Sequence, residues 1–538
     1  MSDLYYRTED VPADELLALF VENAEDRLTI NSIKAPSPMI LEGSRGTGKS
    51  FLMRVAEAEL RASFDTDRVL PVYVSFLRSS LLSTSDPVQF RHWMLARTCG
   101  RIVRQLAQFG LTGIRQDAIE TLTGSRTPLA SSEPSPIEEV SRLYEESWRN
   151  PGESVNASIV PDVEDFRDAV EDVCTSAGIQ RVCLLFDEAA HVLRPEQQRQ
   201  FFTLFRDLRA SFISCNAAVY PGLTSYGESF ELAHDATLRK LARDVTASSY
   251  LENMREIVER QADAGLLDAM ARQRNQIDTL AYAATGNPRF LLKLVAKAPT
   301  LRSSDVEDGI KRFFRQDIWS EHSSLAERFA GHRPLIDWGR DFIERQVLPD
   351  TQQKNSARST AGKEESTAFF WIHRDAPEAV KEALRLLEYT GIVQRQESGI
   401  RGTRSELGTR YLVNLGCVLA LEAKPTTDGL AIARNLSIKR FTEYGSNHEV
   451  FAALRSFGSV VQPDIREVLS VELAKSIDVL DITPWQRDRL KEAGFIEIGQ
   501  ILDATEENIM SKIHYVGPKR ARRVRNAALS AILEYLSG

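Results

Sequence analysis

An eight-residue glycine-rich segment, GSRGTGKS at positions 43–50, limits the possible folds of this chain more than any other part of its sequence. It follows the apolar run PMIL and precedes the helical pattern FLMRVAEAEL, so it joins a predicted strand to a predicted helix. In that context glycines let backbone N–H groups surround phosphate oxygens at a helix N-terminus. An ordinary glycine-rich turn is the alternative. The segment predicts a phosphate-binding loop formed by Gly43, Ser44, Arg45, Gly46, Thr47, Gly48, Lys49 and Ser50.

A second apolar run, RVCLLF at 181–186, ends in two carboxylates. Ligands of open α/β sheets bind at the carboxyl ends of the strands, so Asp187 and Glu188 are expected beside the loop. We predict that Lys49 neutralises the β- and γ-phosphates and that Ser50 and Asp187 hold Mg²⁺. Glu188 is predicted to orient or deprotonate the attacking water. The alternative for each carboxylate is an ordinary acid at a strand end or helix N-cap.

Bulk properties exclude several classes of protein. The 538 residues are too many for one core at roughly 150 residues per domain. No run of about eighteen apolar residues occurs, so we expect a cytoplasmic protein without a membrane partner. Five scattered cysteines without a Cys-x-x-Cys pair argue against a zinc ribbon or a disulfide framework. The net charge of -9 gives no general attraction to nucleic acid, so any DNA contact needs a local basic patch.

Apolar, β-branched runs alternate with helical patterns from about residue 12 to 250, which predicts an α/β fold with a parallel sheet. Stretches rich in Ser, Thr, Pro and Gly predict a long irregular insertion at 110–161, and a polar stretch predicts a mobile loop at 352–367. The predicted strands are 38–42, 69–76, 181–186, 211–219 and 246–251.

Five units are predicted along the chain. The parallel-sheet domain is followed by a helical lid, then by a helix, strand, polar loop and strand in the order of a winged helix. A helical connector and a small all-α domain complete the chain. The predicted boundaries are 1–251, 252–300, 301–423, 424–475 and 476–538.

Over about residues 12–420 these motifs resemble AAA+ ATPases of the origin-recognition-complex type and, more distantly, STAND signalling ATPases. The segment Gly286-Asn287-Pro288-Arg289 is similar to the sensor-2 motif in the lid of that family. The resemblance implies that ATP and Mg²⁺ are the cofactors and that Arg289 reaches the γ-phosphate. The chain departs from the family at the sensor-1 position, for which the candidates are Asn216, Tyr220 and Thr224.

The resemblance also implies an arginine finger, which a neighbouring subunit inserts to stabilise charge on the γ-phosphate. The family carries it shortly before the fifth strand, which points here to Arg239 or Arg243. An ordinary surface arginine is the alternative for each. A finger at either position makes turnover depend on a homo-oligomer or hetero-oligomer.

Two regions are predicted to contact duplex DNA. The first is the hairpin of the winged-helix-like domain, between the predicted strands 391–393 and 411–414. Arginines in a wing neutralise phosphates and make binding sensitive to salt. A winged helix used only for protein packing is the alternative. The hairpin arginines are Arg395, Arg401, Arg404 and Arg410.

The second region resembles the helical C-terminal domain of the bacterial RNA polymerase α subunit and related helix-hairpin-helix modules. The likeness centres on IHYVGPKRA at 513–521, where Tyr515 replaces the first glycine of the hairpin pattern. In that fold the amides around Gly517 and the next helix N-terminus grip a DNA phosphate. A protein-docking module with a solvated basic face is the alternative. The surrounding basic residues are Lys512, Lys519, Arg520, Arg522, Arg523 and Arg525.

The sequence as a whole predicts a Mg²⁺-dependent ATPase whose nucleotide state controls oligomerisation and the engagement of duplex DNA. A STAND-like signalling or antiphage-defence switch is the alternative. In that case ATP binding drives assembly, and the C-terminal module recruits a protein partner.

Overall fold

The computed structural model describes residues 4–76, 87–126, 134–147, 155–188, 195–222, 224, 226–227, 229–328, 332–455, 473–480, 482, 484–517, 520–521, 524–525 and 527–528. These residues form a mixed α/β protein with one five-stranded and one four-stranded sheet, and the predicted α/β class is confirmed. Among the helices in these ranges, none is long and apolar enough to cross a membrane.

Five parallel strands form the core sheet of the first domain, in the order β2-β3-β4-β1-β5. All residues of β3 and β4 are buried, because helices cover both faces of the sheet. Ile40 in β1 lies opposite Ala217 and Leu238, so the loop after β1 emerges near the middle of the carboxyl edge. The strands are β1 Met39–Glu42, β2 Val69–Ser75, β3 Arg181–Asp187, β4 Ile213–Val219 and β5 Thr237–Lys240.

Alternating side chains of the strands pack against two layers of helices. Leu41 and Leu185 lie in a cluster with α1 and α2, whereas Ile40 and Leu184 pack on the other face with α4, α7 and α8. A parallel sheet buried on both faces follows from this arrangement. The helices are α1 Ala24–Lys34, α2 Lys49–Ala62, α3 Phe64–Asp67, α4 Pro87–Gln108, α5 Gln116–Thr123, α6 Pro136–Glu145, α7 Val163–Ala177, α8 Pro195–Asp207 and α9 Leu232–Asp235.

Part of the predicted irregular insertion is helical. The stretch 110–161 contains α5 and α6, and α6 begins with a capping box in which Ser135 and Glu138 each bond the backbone of the other. That box was readable in the sequence as Ser-x-x-Glu before an apolar run. Residues 127–133 and 148–154 of the insertion lie outside the described residues.

The predicted fifth strand at 246–251 is wrong. The strand that pairs with β1 is Thr237–Lys240, an edge strand with mostly exposed side chains. Tyr250 begins a helix instead, because Tyr250, Met254 and Val258 recur every four residues and form its buried face.

Four helices follow the parallel-sheet domain and form the lid. Asn287 caps the last of them, accepting a hydrogen bond from the N–H of Phe290 at 3.2 Å, and Pro288 occupies its first turn. The lid helices are α10 Tyr250–Glu259, α11 Ala264–Arg272, α12 Arg274–Ala284 and α13 Pro288–Lys297.

The domain predicted as a winged helix, here called the winged-helix domain after that prediction, combines a helical part with a four-stranded sheet in the order β7-β8-β6-β9. π-Helical turns at 313–317 and 343–347 join consecutive helices. Its elements are α14 Ser303–Arg312, α15 Ile318–Arg328, α16 Arg333–Phe342, α17 Leu348–Thr360, β6 Phe369–His373, α18 Glu378–Tyr389, β7 Val393–Arg401, β8 Leu407–Val413 and α19 Leu415–Leu419.

The mobile loop predicted at 352–367 is wrong. Most of this polar stretch belongs to α17, in which Thr351 and Asn355 are buried. The Asn355 side-chain amide donates to the Thr367 carbonyl at 2.9 Å and accepts from the Thr367 N–H at 2.8 Å. Specific hydrogen bonds order this stretch where few apolar side chains are available.

The stretch predicted as a helical connector contributes a strand to the winged-helix sheet. β9 Thr442–Tyr444 pairs in parallel with β6, placing Tyr444 opposite Ile372. Short helices flank it, α20 Leu430–Arg434 and α21 Ala452–Arg455, with a π-helical turn at 425–429 and a 3₁₀ turn at 449–451.

The C-terminal module has its own buried cluster, whose members all lie between residues 477 and 528. Ile477, Leu490, Phe495, Ile501 and Ile509 are among the buried side chains that its short helices bring together. The helices are α22 Pro484–Glu492, α23 Ile498–Asp503 and α24 Glu506–Lys512, after a 3₁₀ turn at 477–479.

Candidate nucleotide-binding site

The loop between β1 and α2 has a backbone geometry that suits glycine at two positions. Gly46 has φ of 83° and Gly48 has φ of 103°, both in the left-handed region. Gly48 caps α2, and a Cβ built on it would meet no heavy atom within 4 Å, so the backbone there is open to a ligand. The Thr47 hydroxyl closes the loop by donating to the Ser44 carbonyl at 2.9 Å. The loop is thus preformed at a helix N-terminus, where N–H groups bind anions.

The carboxylate at the end of β3 lies next to the first turn of α2. Asp187 is buried and accepts hydrogen bonds from the hydroxyls of Tyr73 and Ser50. The Glu188 N–H donates to Asp187 Oδ1 at 2.9 Å. Ser50 and Asp187 are therefore close enough to share one ion, as the sequence predicts. Tyr73, on the neighbouring strand β2, was not identified from the sequence because a tyrosine in a strand is usually a packing residue.

The charges of this site are held away from water. Burial lowers the pKa of Lys49 to about 8, although Glu188 and Asp187 act in the opposite direction. Burial and the neighbouring Glu188 raise the pKa of Asp187. The Lys49 ammonium donates to the Gly43 carbonyl at 2.6 Å. A bound polyanion would stabilise the charged lysine and a bound cation would stabilise the carboxylates, so the site is built for a ligand that carries both.

The oxygen donors present fit Mg²⁺. One hydroxyl, from Ser50, and one carboxylate, from Asp187, are typical protein ligands of this ion, which completes its octahedron with waters and phosphate oxygens. Neither residue offers a nitrogen or sulfur ligand, which zinc favours in structural sites.

The lid contacts the loop through the segment 286–289. The Asn287 amide donates to the Arg45 carbonyl at 2.8 Å, and the Arg289 N–H donates to the Gly46 carbonyl at 3.4 Å. A Cβ on Gly46 would lie 2.7 Å from Asn287 Oδ1, so this close approach requires glycine. The Arg289 side chain lines the nucleotide cavity, where it donates to the Tyr6 carbonyl at 3.1 Å.

Arg243 follows β5, and its side chain contacts the phosphate-binding loop of its own chain. Its guanidinium donates to the Thr47 carbonyl at 2.9 Å and pairs with the buried Asp26 at 3.0 Å. The Arg243 backbone also packs on Gly286, where a Cβ would lie 2.9 Å from the arginine Cβ. An arginine finger was expected shortly before the fifth strand. Arg243 instead follows that strand, which ends at Lys240.

Arg239 is not part of the cavity. It lies within the edge strand β5 and donates to the Ser32 hydroxyl at 3.1 Å. The possibility that it serves a neighbouring subunit as a finger stays a prediction.

A cavity of about 430 Å³ connects these groups. Its volume lies within the range of small-molecule sites, which is about 300 to 1,000 Å³. The cavity wall is polar where it carries Lys49, Ser50, Glu188 and Arg289, and the rest of the wall is partly apolar. The N-terminal segment 5–11 also lines the cavity, which no motif in the sequence signals. The apolar lining side chains include Val11, Phe20, Val21, Ile257 and Leu292.

One of the three candidates for the sensor-1 position reaches the site. The Tyr220 hydroxyl donates to Glu188 Oε2 at 3.0 Å. Asn216 is buried within β4 and donates to the Ile33 carbonyl at 3.1 Å, away from the cavity. Thr224 donates to the Tyr220 carbonyl at 2.7 Å and so supports the turn that carries the tyrosine.

The wing arginines divide into exposed and buried ones. Arg401 and Arg404 are exposed in the hairpin between β7 and β8, and Arg401 donates to the Ser405 carbonyl at 2.9 Å. Arg410 is buried and donates to the Ile438 carbonyl at 3.1 Å, so it holds the sheet together and does not face a ligand.

The C-terminal hairpin is formed although Tyr515 stands at the glycine position of the pattern. Tyr515 has φ of 65° and is 80% exposed, and its carbonyl accepts a hydrogen bond from Arg520 at 2.9 Å. Gly517 is exposed, and no heavy atom lies within 4 Å of its Cβ position. Lys512 is exposed at the end of α24. The predicted DNA contacts Lys519 and Arg523 lie outside the described residues.

Comparison with known proteins gives one family match and several similar solved structures. Residues 4–80, which include the phosphate-binding loop, match the ORC-CDC6-like family model. No curated protein matches the chain. Among solved structures, the Aeropyrum pernix ORC1 protein in complex with DNA is similar at 16% identity, with 77% of this chain and 96% of that chain covered and a TM-score of 0.33. The Aeropyrum pernix ORC2 protein, in ADPNP-ADP complexes, is similar at 11% identity, with 80% and 96% covered and a TM-score of 0.34.

The family match covers the strand, the loop and the helix that hold the phosphate-binding residues, and the five parallel strands complete the fold around them. Residues 4–80 of this chain are therefore similar to the ORC-CDC6-like family.

Proposed function

We propose that this protein binds and hydrolyses ATP with Mg²⁺, and that its nucleotide state controls its assembly and its engagement of duplex DNA. The observation that carries the proposal is that the loop, Glu188 and the lid arginine line one cavity, with Asp187 bonded to Ser50 beside it. Lys49 and Ser50 begin α2, Asp187 and Glu188 end β3, and Arg289 reaches in from the lid.

Each of these residues has a separate task. Lys49 and the loop amides hold the β- and γ-phosphates, and Arg289 approaches the γ-phosphate from the opposite side. Mg²⁺ held by Ser50 and Asp187 supplies positive charge to the phosphate oxygens when bound. Glu188 orients the attacking water and accepts its proton. Because Asn287 and Arg289 bond the loop backbone, a bound nucleotide would fix the lid against the parallel-sheet domain.

Contacts with DNA are proposed for two surfaces. The exposed hairpin around Gly517, next to Lys512 and Arg520, offers amides and positive charge to a phosphate. Arg401 and Arg404 offer positive charge at the wing. Contacts of this kind fix the position of a duplex without reading its bases.

The nucleotide and DNA surfaces are linked through the winged-helix domain. Arg45 of the phosphate-binding loop pairs with Glu321 on α15 at 3.4 Å, although both side chains are about a third exposed or more, which makes the pair weak. The Thr285 hydroxyl, just before the lid motif, accepts the Leu415 N–H at 2.8 Å. A change of nucleotide thus has a direct physical route to the winged-helix domain.

The proposal is tested by steady-state ATP hydrolysis with and without duplex DNA at two salt concentrations. We expect turnover that DNA stimulates at low salt and less at high salt. Lys49→Ala should abolish it, and Glu188→Gln should bind ATP while losing roughly 10²-fold or more in kcat. A chain that ends at residue 472 should hydrolyse ATP with weaker stimulation, because the C-terminal module has a core of its own.

The same experiment separates the alternative function. Turnover that is lost in Lys49→Ala but unaffected by DNA at either salt concentration would keep the ATPase and reject DNA as the regulator. That outcome favours a signalling switch in which the C-terminal module binds a protein. Unchanged turnover in both Lys49→Ala and Glu188→Gln would reject the ATPase itself.

A further inference from the structure

Tyr220, directly after β4, contacts two groups of the nucleotide site at once. It is buried, and its hydroxyl donates to Glu188 Oε2 at 3.0 Å. The Lys49 ammonium lies 4.1 Å from the centre of its ring, within the range of a cation–π contact. The tyrosine therefore bridges the phosphate-binding lysine and the predicted base.

A second tyrosine reaches Tyr220 from another domain. Tyr389 is the last residue of α18 in the winged-helix domain, and its ring meets that of Tyr220 edge to face with centroids 5.3 Å apart. Edge-to-face pairs at this distance are favourable and directional. Tyr389 is itself buried, so its position is fixed by the winged-helix domain.

The two domains are in close contact beside this pair. Gly222, two residues after Tyr220, has φ of 77°, and a Cβ on it would lie 2.6 Å from the Cβ of Arg385 on α18. No side chain fits between the turn after β4 and this helix. A displacement of α18 must therefore move the turn or break its contacts with it.

The carboxylate of Glu188 depends on Tyr220 for its placement. Glu188 has φ of 58°, which directs its backbone away from the path of β3. The phenol donates to one carboxylate oxygen, and a hydrogen bond to an ionised group is strong and directional. Holding the base within a fraction of an ångström of its working position is a large part of catalysis.

We propose that Tyr220 is a positioning residue for Glu188, and that Tyr389 makes the position of Glu188 depend on the winged-helix domain. The position of the carboxylate proposed to activate water thereby depends on the domain that is proposed to contact DNA. This inference rests on the hydrolytic role proposed for Glu188.

The test compares single and double variants in the full-length protein by steady-state kinetics. Tyr220→Phe removes only the hydroxyl and should lower kcat about tenfold with KM within about twofold, because the base is displaced while the nucleotide site remains. Tyr389→Leu should lower kcat in the same way. Since Tyr389 acts through Tyr220, the double variant should be no slower than the slower single variant.

A matched control is available in the same domain. Tyr444 is also buried and donates to Asp350 at 2.8 Å, but it lies on β9 at the far edge of the winged-helix sheet. Tyr444→Phe loses a comparable hydrogen bond and should leave kcat unchanged. A kcat loss of similar size in this control would mean that general loosening of the domain explains the effect, and would overturn the inference.

Two further outcomes would overturn it: an unchanged kcat in Tyr389→Leu, or losses that multiply in the double variant. The failure of the proposed function is distinguishable from both. If Glu188→Gln retains full turnover, the role of Glu188 is wrong. If Glu188→Gln abolishes turnover while the tyrosine variants are normal, the proposed function stands, and both the positioning role of Tyr220 and the coupling through Tyr389 are wrong.

Discussion

The missing side chain at Gly46 determines how closely the lid approaches the phosphate-binding loop. An alanine methyl would lie 2.7 Å from Asn287 Oδ1 and 2.8 Å from Arg289 Cβ, at a φ of 83°. We expect Gly46→Ala to push the lid away and raise the ATP dissociation constant by about tenfold or more, a cost of roughly 1.4 kcal/mol. Equilibrium binding of a fluorescent ATP analogue measures this.

Gly110→Ala is the control for this substitution. Gly110 also has a positive φ, of 62°, but its added methyl would meet nothing within 4 Å. It should lose a little stability and keep the wild-type affinity. Equal loss of affinity in both variants would mean that general destabilisation of the protein, and not the contact between Gly46 and the lid, weakens binding.

Arg243 is expected to act within its own chain. Arg243→Ala removes the cationic partner of the buried Asp26 and leaves it the hydrogen bond from the Asn23 amide at 2.6 Å, which should cost about 3 kcal/mol of stability and weaken ATP binding even in dilute protein. The control is Arg255→Ala, which removes one of two arginine partners of the buried Asp278 in the lid: Arg255 lies 2.8 Å from this carboxylate, and Arg434 remains at 3.1 Å. That variant should lose stability and keep its ATP affinity.

Mixing experiments separate this role from a finger. Arg243→Ala and Lys49→Ala subunits are each expected to be inactive. If Arg243 acted in a neighbouring subunit, a mixture of the two variants would regain turnover. The Lys49→Ala subunit would then supply Arg243 to the Arg243→Ala subunit, whose phosphate-binding loop is intact. We expect no recovery.

Residues of the nucleotide site differ in how far the sequence predicts them. The loop and the β3 carboxylates follow from spacing and from the strand on which each lies. Arg243 and Asp26 are 217 positions apart, and the Tyr220 contact with Glu188 spans 32. A local sequence pattern does not predict which distant side chains the fold brings together, so these contacts are found only in the structure.

Helix α15 carries a buried imidazole whose protonation should destabilise the winged-helix domain. Burial lowers the pKa of His322 from 6.5 to about 4, and its Nδ1 lies 3.2 Å from the Thr390 hydroxyl at the end of α18. Below about pH 6.5 the His322 imidazole is protonated in the unfolded chain, whereas in the folded chain it stays neutral down to about pH 4. The stability contributed by neutral His322 is therefore full above that pH and falls by about 1.4 kcal/mol per unit below it.

His322 alone is expected to lower the free energy of unfolding by about 2 kcal/mol at pH 5 relative to pH 7.5. Urea unfolding at the two pH values measures it. His322→Leu has no imidazole to protonate, so its stability should fall less on acidification. An identical fall in both proteins would show that other groups account for the acid sensitivity.

Strands and helices were predictable where burial follows a simple period. β1 to β4 lie within two residues of their predicted ends, because they are short continuous apolar runs. β5 was missed since an edge strand with exposed side chains has no such run. α17 was missed because Asn355 orders it through hydrogen bonds to Thr367, and an apolar stripe does not.

Considered as one chain, the protein carries a net charge that opposes the DNA binding proposed for it. The net charge is -9, so binding has to come from local cations and should weaken steeply as salt rises.

Lys512→Gln should reduce the slope of log K against log salt by about 0.9 if this residue contacts one phosphate. Lys491→Gln, on the same module but paired with Asp478 at 2.7 Å, should leave the slope unchanged. Fluorescence anisotropy with a labelled duplex measures both slopes, and equal slopes in all three proteins would remove Lys512 from the interface.

All five cysteines are buried, with Cys99, Cys174, Cys183 and Cys215 around the parallel sheet and Cys417 in the winged-helix domain. Burial raises the pKa of each thiol, so few thiolates form near neutral pH. A thiol reagent can therefore attack only while a domain is transiently open. The labelling rate of Cys417 should therefore report opening of the winged-helix domain, and the labelling rates of the other four cysteines should report opening of the parallel-sheet domain.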